Sequence, residues 1–388
     1  MQREASTAIG SRPRVAIVGG GVIGLAIGWR LASAGCAVDV FERGTAGRGA
    51  SWAAAGMLAA GVEAEPSEIS LLALNRTSLR RWPDFAIELH AASGIDVELR
   101  TEGTLALAFS ADDLRQLRFT YEFQRSLGIR LEWLTLTEAR RREPHLAPGL
   151  AAAVLSPGDY QVNNRRLGEA LAVAFRNTGG RLHENTPVMA LETEGGRVSG
   201  VRLADSSHAA DVVVLAAGAW SREIAGIPAE AMPPVRPVKG QLLALRMDAA
   251  APLIRHVIWA PGVYLVPRRD GRLILGGTVE ERGFDGTLTA GATLTLLEAA
   301  WRALPCIDEL AIDEMWAGFR PGSPDDAPIL GPSAVEGLVL ATGHHRNGIL
   351  LTPVTADEIS RCILIGEVSE TIRPFSIGRF SEHLREFR

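Results

Sequence analysis

Cysteine is scarce in this chain of 388 residues: Cys36, Cys306 and Cys362 are far apart and odd in number. That excludes a disulfide framework and a cysteine-rich zinc site, and it suits a reducing compartment. The three read as small buried apolar residues. Charge of one sign is also lacking. The net charge is −5 and the basic clusters (Arg80-Arg81, Arg140-Arg141-Arg142, Arg165-Arg166, Arg268-Arg269) are short, scattered and free of interleaved aromatics. They read as solvated faces, with no nucleic-acid groove. Long apolar runs are missing as well. Met1 to Arg14 holds no continuous apolar core, and the first apolar stretch is broken by glycines within a few residues, so neither a signal peptide nor a membrane span is expected. A soluble, cytoplasmic protein follows as the expectation. No internal repeat, low-complexity tract or charge block is present.

What is there begins with length. The chain exceeds the roughly 250–300 residues at which one hydrophobic core stops growing, so two domains are expected. Three separated segments share one pattern, an apolar β-branched run ending in glycine: Val15 to Gly19, Val212 to Gly218 and Leu338 to Gly343. Continuous apolar runs bounded by turns suit strands buried on both faces of a parallel sheet. Between them, Asn163 to Thr178 carries Leu167, Ala170, Leu171, Ala174 and Phe175 on one helical face, with Gly179-Gly180 at its end. A βα crossover is its simplest role. By contrast, Val263 to Pro267 and Arg272 to Gly276, joined by Arg268-Arg-Asp-Gly271, read as a hairpin. The expected fold class is α/β (α+β overall): a discontinuous Rossmann-like nucleotide domain (residues 14–84, 149–234 and 322–375) with a second, mainly antiparallel β-sheet substrate domain (85–148 and 235–321).

Gly19-x-Gly21-x-x-Gly24 follows the first strand and opens a helix running to about Ala34, the context a dinucleotide fingerprint needs. Gly19 permits the tight turn, Gly21 lets the backbone approach a pyrophosphate, and Gly24 lets helix pack on strand. The amides of Val22 and Ile23 belong to the helix N-terminus, where N–H donors and positive potential favour the anion. No Lys-Ser or Lys-Thr follows Gly24, which excludes a P-loop. The second strand, Val38 to Glu42, places the Glu42 carboxylate where ribose hydroxyls are bound and a 2′-phosphate is disfavoured. Taken alone the glycines could serve the backbone only, and the fingerprint does not choose between NAD and FAD. The small-residue run Gly49 to Met57, including Ala50, Ser51, Ala55 and Gly56, suits close approach of backbone to something flat or bulky, although a packed alanine helix is the simpler alternative.

These motifs, with Ala217-Gly218-Ala-Trp-Ser221, Tyr264-Leu-Val-Pro-Arg268, Trp316-Ala-Gly-Phe-Arg320 and Gly343-His-His-Arg-Asn-Gly-Ile-Leu-Leu351, resemble the D-amino acid oxidase superfamily and, within it, the glycine oxidases of thiamin biosynthesis. The resemblance spans about Arg14 to Pro374. It implies non-covalently bound FAD, and no cysteine lies between Trp316 and Gly331, where related sarcosine oxidases attach their flavin. It implies FAD contacts at Gly19 to Gly24, Glu42, Arg43, Ala50, Ser51, Ala55, Gly56, Met57, Val188, Gly218 and His344, His345, Arg346, Asn347, Gly348, Ile349 and Leu350. It further implies a homotetramer, a small amino acid and O2 as partners, and supply of the glycine imine for the thiazole of thiamin.

Oxidising an amino acid requires orientation above all. The planar fork of arginine holds a carboxylate through two parallel charge-assisted bonds, and a phenol adds a third. The resemblance makes Arg320 the carboxylate clamp and Tyr264 its hydroxyl partner, with Arg346 beside the substrate. From position alone, Arg320 could equally form a structural ion pair and Tyr264 could face the core. His344 and His345 are adjacent, point apart and have no third ligand near, so no metal site is expected. Two arginines in a desolvated site would lower the substrate ammonium pKa, so no general base is required. By the same resemblance Gly262 stands where a polar residue is usual two before the tyrosine and Val279 where a longer side chain lines the site, which opens the site to sarcosine, N-ethylglycine or small D-amino acids. Two alternatives stay open at this point: a dehydrogenase of D-amino or imino acids that reduces a quinone, and a flavin-binding protein without turnover.

Overall fold

The computed structural model describes residues 12–380; most of Met1 to Arg14, read above for a leader, lies outside them. The first glycine-ended run forms the strand Arg14–Val18 in the middle of a six-stranded sheet. Its order is Ile329–Pro332, Leu338–Thr342, Val212–Leu215, Arg14–Val18, Ala37–Phe41, Arg181–His183. All neighbours are parallel except the edge strand Ile329–Pro332. The three runs singled out in the sequence are thus adjacent, although some 200 and 320 positions separate the later two from the first.

Alternate residues of these strands face two different cores, which is why the runs are apolar throughout. Val15 and Ile17 join Leu25 and Ile27 of the helix Val22–Ser33, Phe175 of Asn164–Asn177 and Val354 of Thr352–Ile365. Ala16 and Val18 pack on the opposite face against Val198 and Val201, from a small antiparallel sheet over residues 190–209. The amphipathic helix forms as its pattern predicts: Leu167, Ala170, Leu171, Ala174 and Phe175 are buried, and Asn163 caps it by accepting from the Arg166 N–H.

The second sheet has eight strands, in the order Ala311–Gly322, Arg236–Arg246, Arg272–Gly276, Val263–Pro267, Val257–Ala260, Thr104–Ala108, Ala152–Ser156, Glu132–Leu134. It is antiparallel except where Val257–Ala260 runs beside Thr104–Ala108. The expected hairpin is there, and Gly271 ends its loop at φ +87°.

Two of the expected boundaries move. The division at 84/85 falls inside a continuous helix, Ile69–Ser93, and both Trp82 before it and Phe85 and Leu89 after it are buried in the nucleotide-side core. An amphipathic stripe docked along its whole length keeps this helix in one layer. Residues 149–156 also change sides, because Ala152–Ser156 pairs with Thr104–Ala108 in the eight-stranded sheet. Cys36 and Cys362 are buried and Cys306 partly so, all as free thiols. Among the described residues no helix is long and apolar enough to cross a membrane.

Candidate functional site

One cavity of about 1280 Å³ is walled by residues of both sheets. That is larger than the ~300–1,000 Å³ usual for a single small ligand, so there is room for a dinucleotide and a further occupant. At its nucleotide end Gly19 turns the chain at φ +109°, and a Cβ there would lie 2.4 Å from the Ala216 carbonyl oxygen. A Cβ on Gly24 would lie 2.0 Å from the Gly19 oxygen. These two positions therefore accept only glycine, for backbone reasons. The helix that follows has no acid in its first turn, which leaves its positive end uncompensated towards the cavity. Glu42 is pinned by the N–H of Gly20 at 2.8 Å and of Gly44 at 3.0 Å, and each oxygen keeps a lone pair for hydroxyls.

Of the expected contacts, Gly19, Gly21, Val22, Ile23, Glu42, Arg43, Ala50, Ser51, Ala55, Gly56, Met57, Val188, Gly218 and His344 through Ile349 line this cavity, together with Tyr264 and Arg320. Gly24 and Leu350 do not. Gly24 packs under the turn, and Leu350 is core, its carbonyl receiving Ser78 Oγ at 2.6 Å and Trp82 Nε1 at 2.9 Å. The Asn347 side-chain Nδ2 is buried, and its residue lines the cavity, with no hydrogen-bond partner among the described residues. Burial lowers the His344 pKa to about 3; His345 falls likewise to about 3, first by burial and then by the charges of Arg346 and Arg320. Both imidazoles are neutral at physiological pH.

At the other end, Tyr264 and Arg320 meet over a floor of glycine. A Cβ on Gly276 would strike the Tyr264 ring at 2.4 Å, and one on Gly240 would strike Arg320 Nη1 at 2.4 Å. A Cβ on Gly277 would lie 3.0 Å from the Tyr264 hydroxyl and 3.1 Å from Arg320 Nη2. Arg320 Nη1 donates to the Thr278 carbonyl at 3.0 Å, and among the described residues no carboxylate pairs with it. The Tyr264 hydroxyl and Arg320 Nη2 thus converge above Gly277, where the phenol O–H and the guanidinium N–H groups can address one carboxylate. Burial, ahead of the opposing Arg320 charge, raises the Tyr264 pKa and keeps that proton in place. Gly240→Ala is expected to push Arg320 aside and raise KM by about 10–100-fold with FAD still bound, because a misplacement of about 1 Å can cost that much. Steady-state kinetics on the flavoprotein check it.

Arg346 departs from expectation. Its Nε bonds Glu63 at 2.9 Å and its Nη2 bonds Glu68 at 2.5 Å, so its charge is already matched twice over. The two-arginine argument for a depressed ammonium pKa therefore fails. In its place stands Glu63, which sequence reasoning missed. Its segment is locked by Asp159, which accepts from Gly61 N at 2.8 Å and Val62 N at 3.1 Å. Burial, tempered by Arg346, raises the Glu63 pKa to about 7. Glu63 lines the same cavity as Tyr264, and its negative charge adds to the rise of the Tyr264 pKa.

A match to the family model DAO, FAD dependent oxidoreductase, runs over residues 14–361. The chain belongs to this family. It is 39% identical over 369 residues to a glycine oxidase of Geobacillus kaustophilus, with 94% of this chain and 96% of the relative covered. It is 38% identical to a bifunctional protein ThiO/ThiG of a Synechocystis species, covering 94% of this chain and 54% of that protein. The crystal structure of glycine oxidase from Geobacillus kaustophilus superposes with a TM-score of 0.88 at 37% identity, covering 94% of this chain and 98% of that one. FAD is accordingly the cofactor, and the glycine turn, the uncompensated helix end, Glu42 and the unpartnered Asn347 amide fit it.

Proposed function

We propose that this FAD-dependent oxidoreductase oxidises glycine and other small amino acids, among them sarcosine and small D-amino acids, and passes the electrons to O2. The observation that carries the reading is the Arg320 guanidinium, which lines the cavity beside the Tyr264 hydroxyl and among the described residues has no carboxylate partner. An unpaired guanidinium of this geometry selects a carboxylate. Bound FAD supplies the acceptor for the α-hydrogen and its electron pair. Arg320 and Tyr264 hold the carboxylate and so fix which face of the α-carbon is presented. Glu63, held by Arg346, faces the amine and takes up its extra proton. The products are the imine, or after hydrolysis the 2-oxo acid and ammonia, with H2O2. The glycine imine is the building block we assign to the thiazole of thiamin.

We further propose a cytoplasmic homotetramer. Leu294 at 66%, Trp301 at 48% and Ile312 at 53% exposure supply apolar surface for an interface. Light scattering on the eluting protein decides this point. The central reading is tested by anaerobic bleaching of the flavin with glycine, sarcosine and a D-amino acid panel. Bleaching by glycine is the expected result, and a flavin that stays oxidised with every member sinks it.

Glu63 gives the reading a pH dependence. An ordinary glutamate is ionised above about 4.5, whereas burial holds Glu63 protonated up to about 7. Lowering the pH through 7 removes the carboxylate, so kcat/KM falls on the acid side with a midpoint near 7. In Glu63→Gln that limb disappears, and kcat/KM at pH 8 drops by about 10–100-fold. A profile unchanged by the substitution contradicts the role.

A further inference from the structure

The cavity does not stop at Tyr264. One cross-strand row of the eight-stranded sheet runs Trp133, Val154, Ala106, Trp259, Tyr264, Gly276. Cross-strand partners share a face, so this row stands on the side of the Tyr264 phenol. Two large rings, Trp133 and Trp259, bracket two small side chains, Val154 and Ala106, and the row dips between them. The Trp259 ring lies nearly parallel to that of Tyr264, with centroids 6.1 Å apart, and carries the wall of the substrate site into the dip.

A roof covers it. Leu117 and Tyr121, one turn apart on the helix Ala111–Ser126, face the dip, and Tyr121 meets Trp133 edge-on at 5.2 Å. Gln124 fastens this helix by donating to the Val62 carbonyl at 3.0 Å and the Ala64 carbonyl at 3.2 Å. Val62 and Ala64 flank Glu63, so one side chain ties the roof to the segment that carries Glu63 into the cavity wall. Val154 and Ala106 are buried, whereas Leu117, Tyr121 and Trp259 are only partly so. Apolar side chains are thus held half-covered around a chamber continuous with the site. Passage of a zwitterion smaller than an aromatic ring needs no such walls. Gly262 lines the same cavity, although the Pro261-Gly262 turn by itself demands its φ of +81°.

Resting on the amino acid oxidase reading above, we infer that the chamber over Ala106 and Val154 binds an aryl group carried by the substrate. The carboxylate sits on Arg320 and Tyr264, and the ring lies between Trp259 and Tyr121. The ring can arrive on nitrogen or on the α-carbon, and N-benzylglycine and D-phenylalanine separate these sources. In each the α-hydrogen leaves with two electrons that end on O2 as H2O2, one N–H proton is released and a C=N bond forms. Water then yields glyoxylate and benzylamine from the first, or phenylpyruvate and ammonia from the second.

The experiment measures H2O2 formation by the FAD-loaded enzyme with glycine, N-benzylglycine and D-phenylalanine. The expected result is a kcat/KM for at least one aryl substrate about tenfold above that for glycine. Ala106→Phe, which fills the dip, then lowers the ratio of aryl to glycine turnover at least tenfold. Should Ala106→Phe yield no flavoprotein, Leu117→Trp narrows the chamber from the half-exposed roof with the same expectation. Glycine turnover with both aryl substrates below one tenth of it overturns the chamber while sparing the oxidase reading, as does a ratio unmoved by the substitution. Aryl turnover without glycine turnover upholds the chamber and removes glycine. Absence of all turnover from a flavin-loaded enzyme removes both.

Discussion

Arg320→Ala is expected to leave a yellow protein that scarcely binds its substrate. The side chain sits at the carboxylate end of the cavity, and its structural bonds are to the carbonyls of Thr278 at 3.0 Å and Lys239 at 3.4 Å. Neither contact touches the glycine turn, Glu42 or the 344–349 segment, so FAD remains. What is lost is a fork of two charge-assisted bonds to the substrate carboxylate, worth about 1.5–3 kcal/mol each. At about 1.4 kcal/mol per decade, kcat/KM for glycine falls by about 10²–10⁴-fold. Arg320→Lys restores charge but not the fork, and recovers only part of the loss. Titrating the flavin spectrum with a small carboxylate ligand separates binding from turnover. Wild-type affinity for glycine in Arg320→Ala removes the carboxylate assignment altogether.

The sequence made the fold more legible than the site because the fold is written locally. Three of the buried parallel strands are short apolar runs ending in glycine, and Gly19 and Gly24 are demanded by a φ of +109° and by carbonyl oxygens 2.4 and 2.0 Å from a Cβ. The 84/85 boundary escaped because the helix Ile69–Ser93 carries Pro83 and charged outer positions that hide one continuous buried stripe. The site is non-local. Glu63 is an unremarkable acid after a small-residue run until Arg346, 283 positions later, bonds it. Gly240, Gly276 and Gly277 read as interruptions of strands, and only the converging heads of Tyr264 and Arg320 explain them. Arg346 was visible as a charge near the cofactor motif, yet its two acidic partners lie in the segment 63–68 that carries no motif.

Arg268 belongs to the same hidden class, and its removal has the second large expected effect. The residue closes the Tyr264 to Arg268 motif but is turned away from the substrate and is only 5% exposed. Its acceptors are neutral oxygens: Val162 O at 2.7 Å, Asn164 Oδ1 at 2.9 Å and Ala55 O. Asn164 in turn donates to Ser51 O at 2.8 Å and Trp52 O at 2.9 Å. One guanidinium thereby holds both ends of the 51–55 segment that lines the FAD end of the cavity. Burial, with Arg272 nearby, lowers its pKa to about 9, so it is still charged at neutral pH. Arg268→Ala strands three buried acceptors, at about 1–3 kcal/mol each. A loss of at least ~3 kcal/mol corresponds to a Tm lower by about 5–10 °C in a chain of this size. FAD affinity falls with it, because the segment no longer waits in its bound form. Arg268→Lys does not rescue either property, since a single ammonium lacks the fork that reaches Val162 and Ala55 together. Fluorescence titration of the apoprotein with FAD and a thermal melt check both, and wild-type values in Arg268→Ala would show that the segment holds its shape unaided.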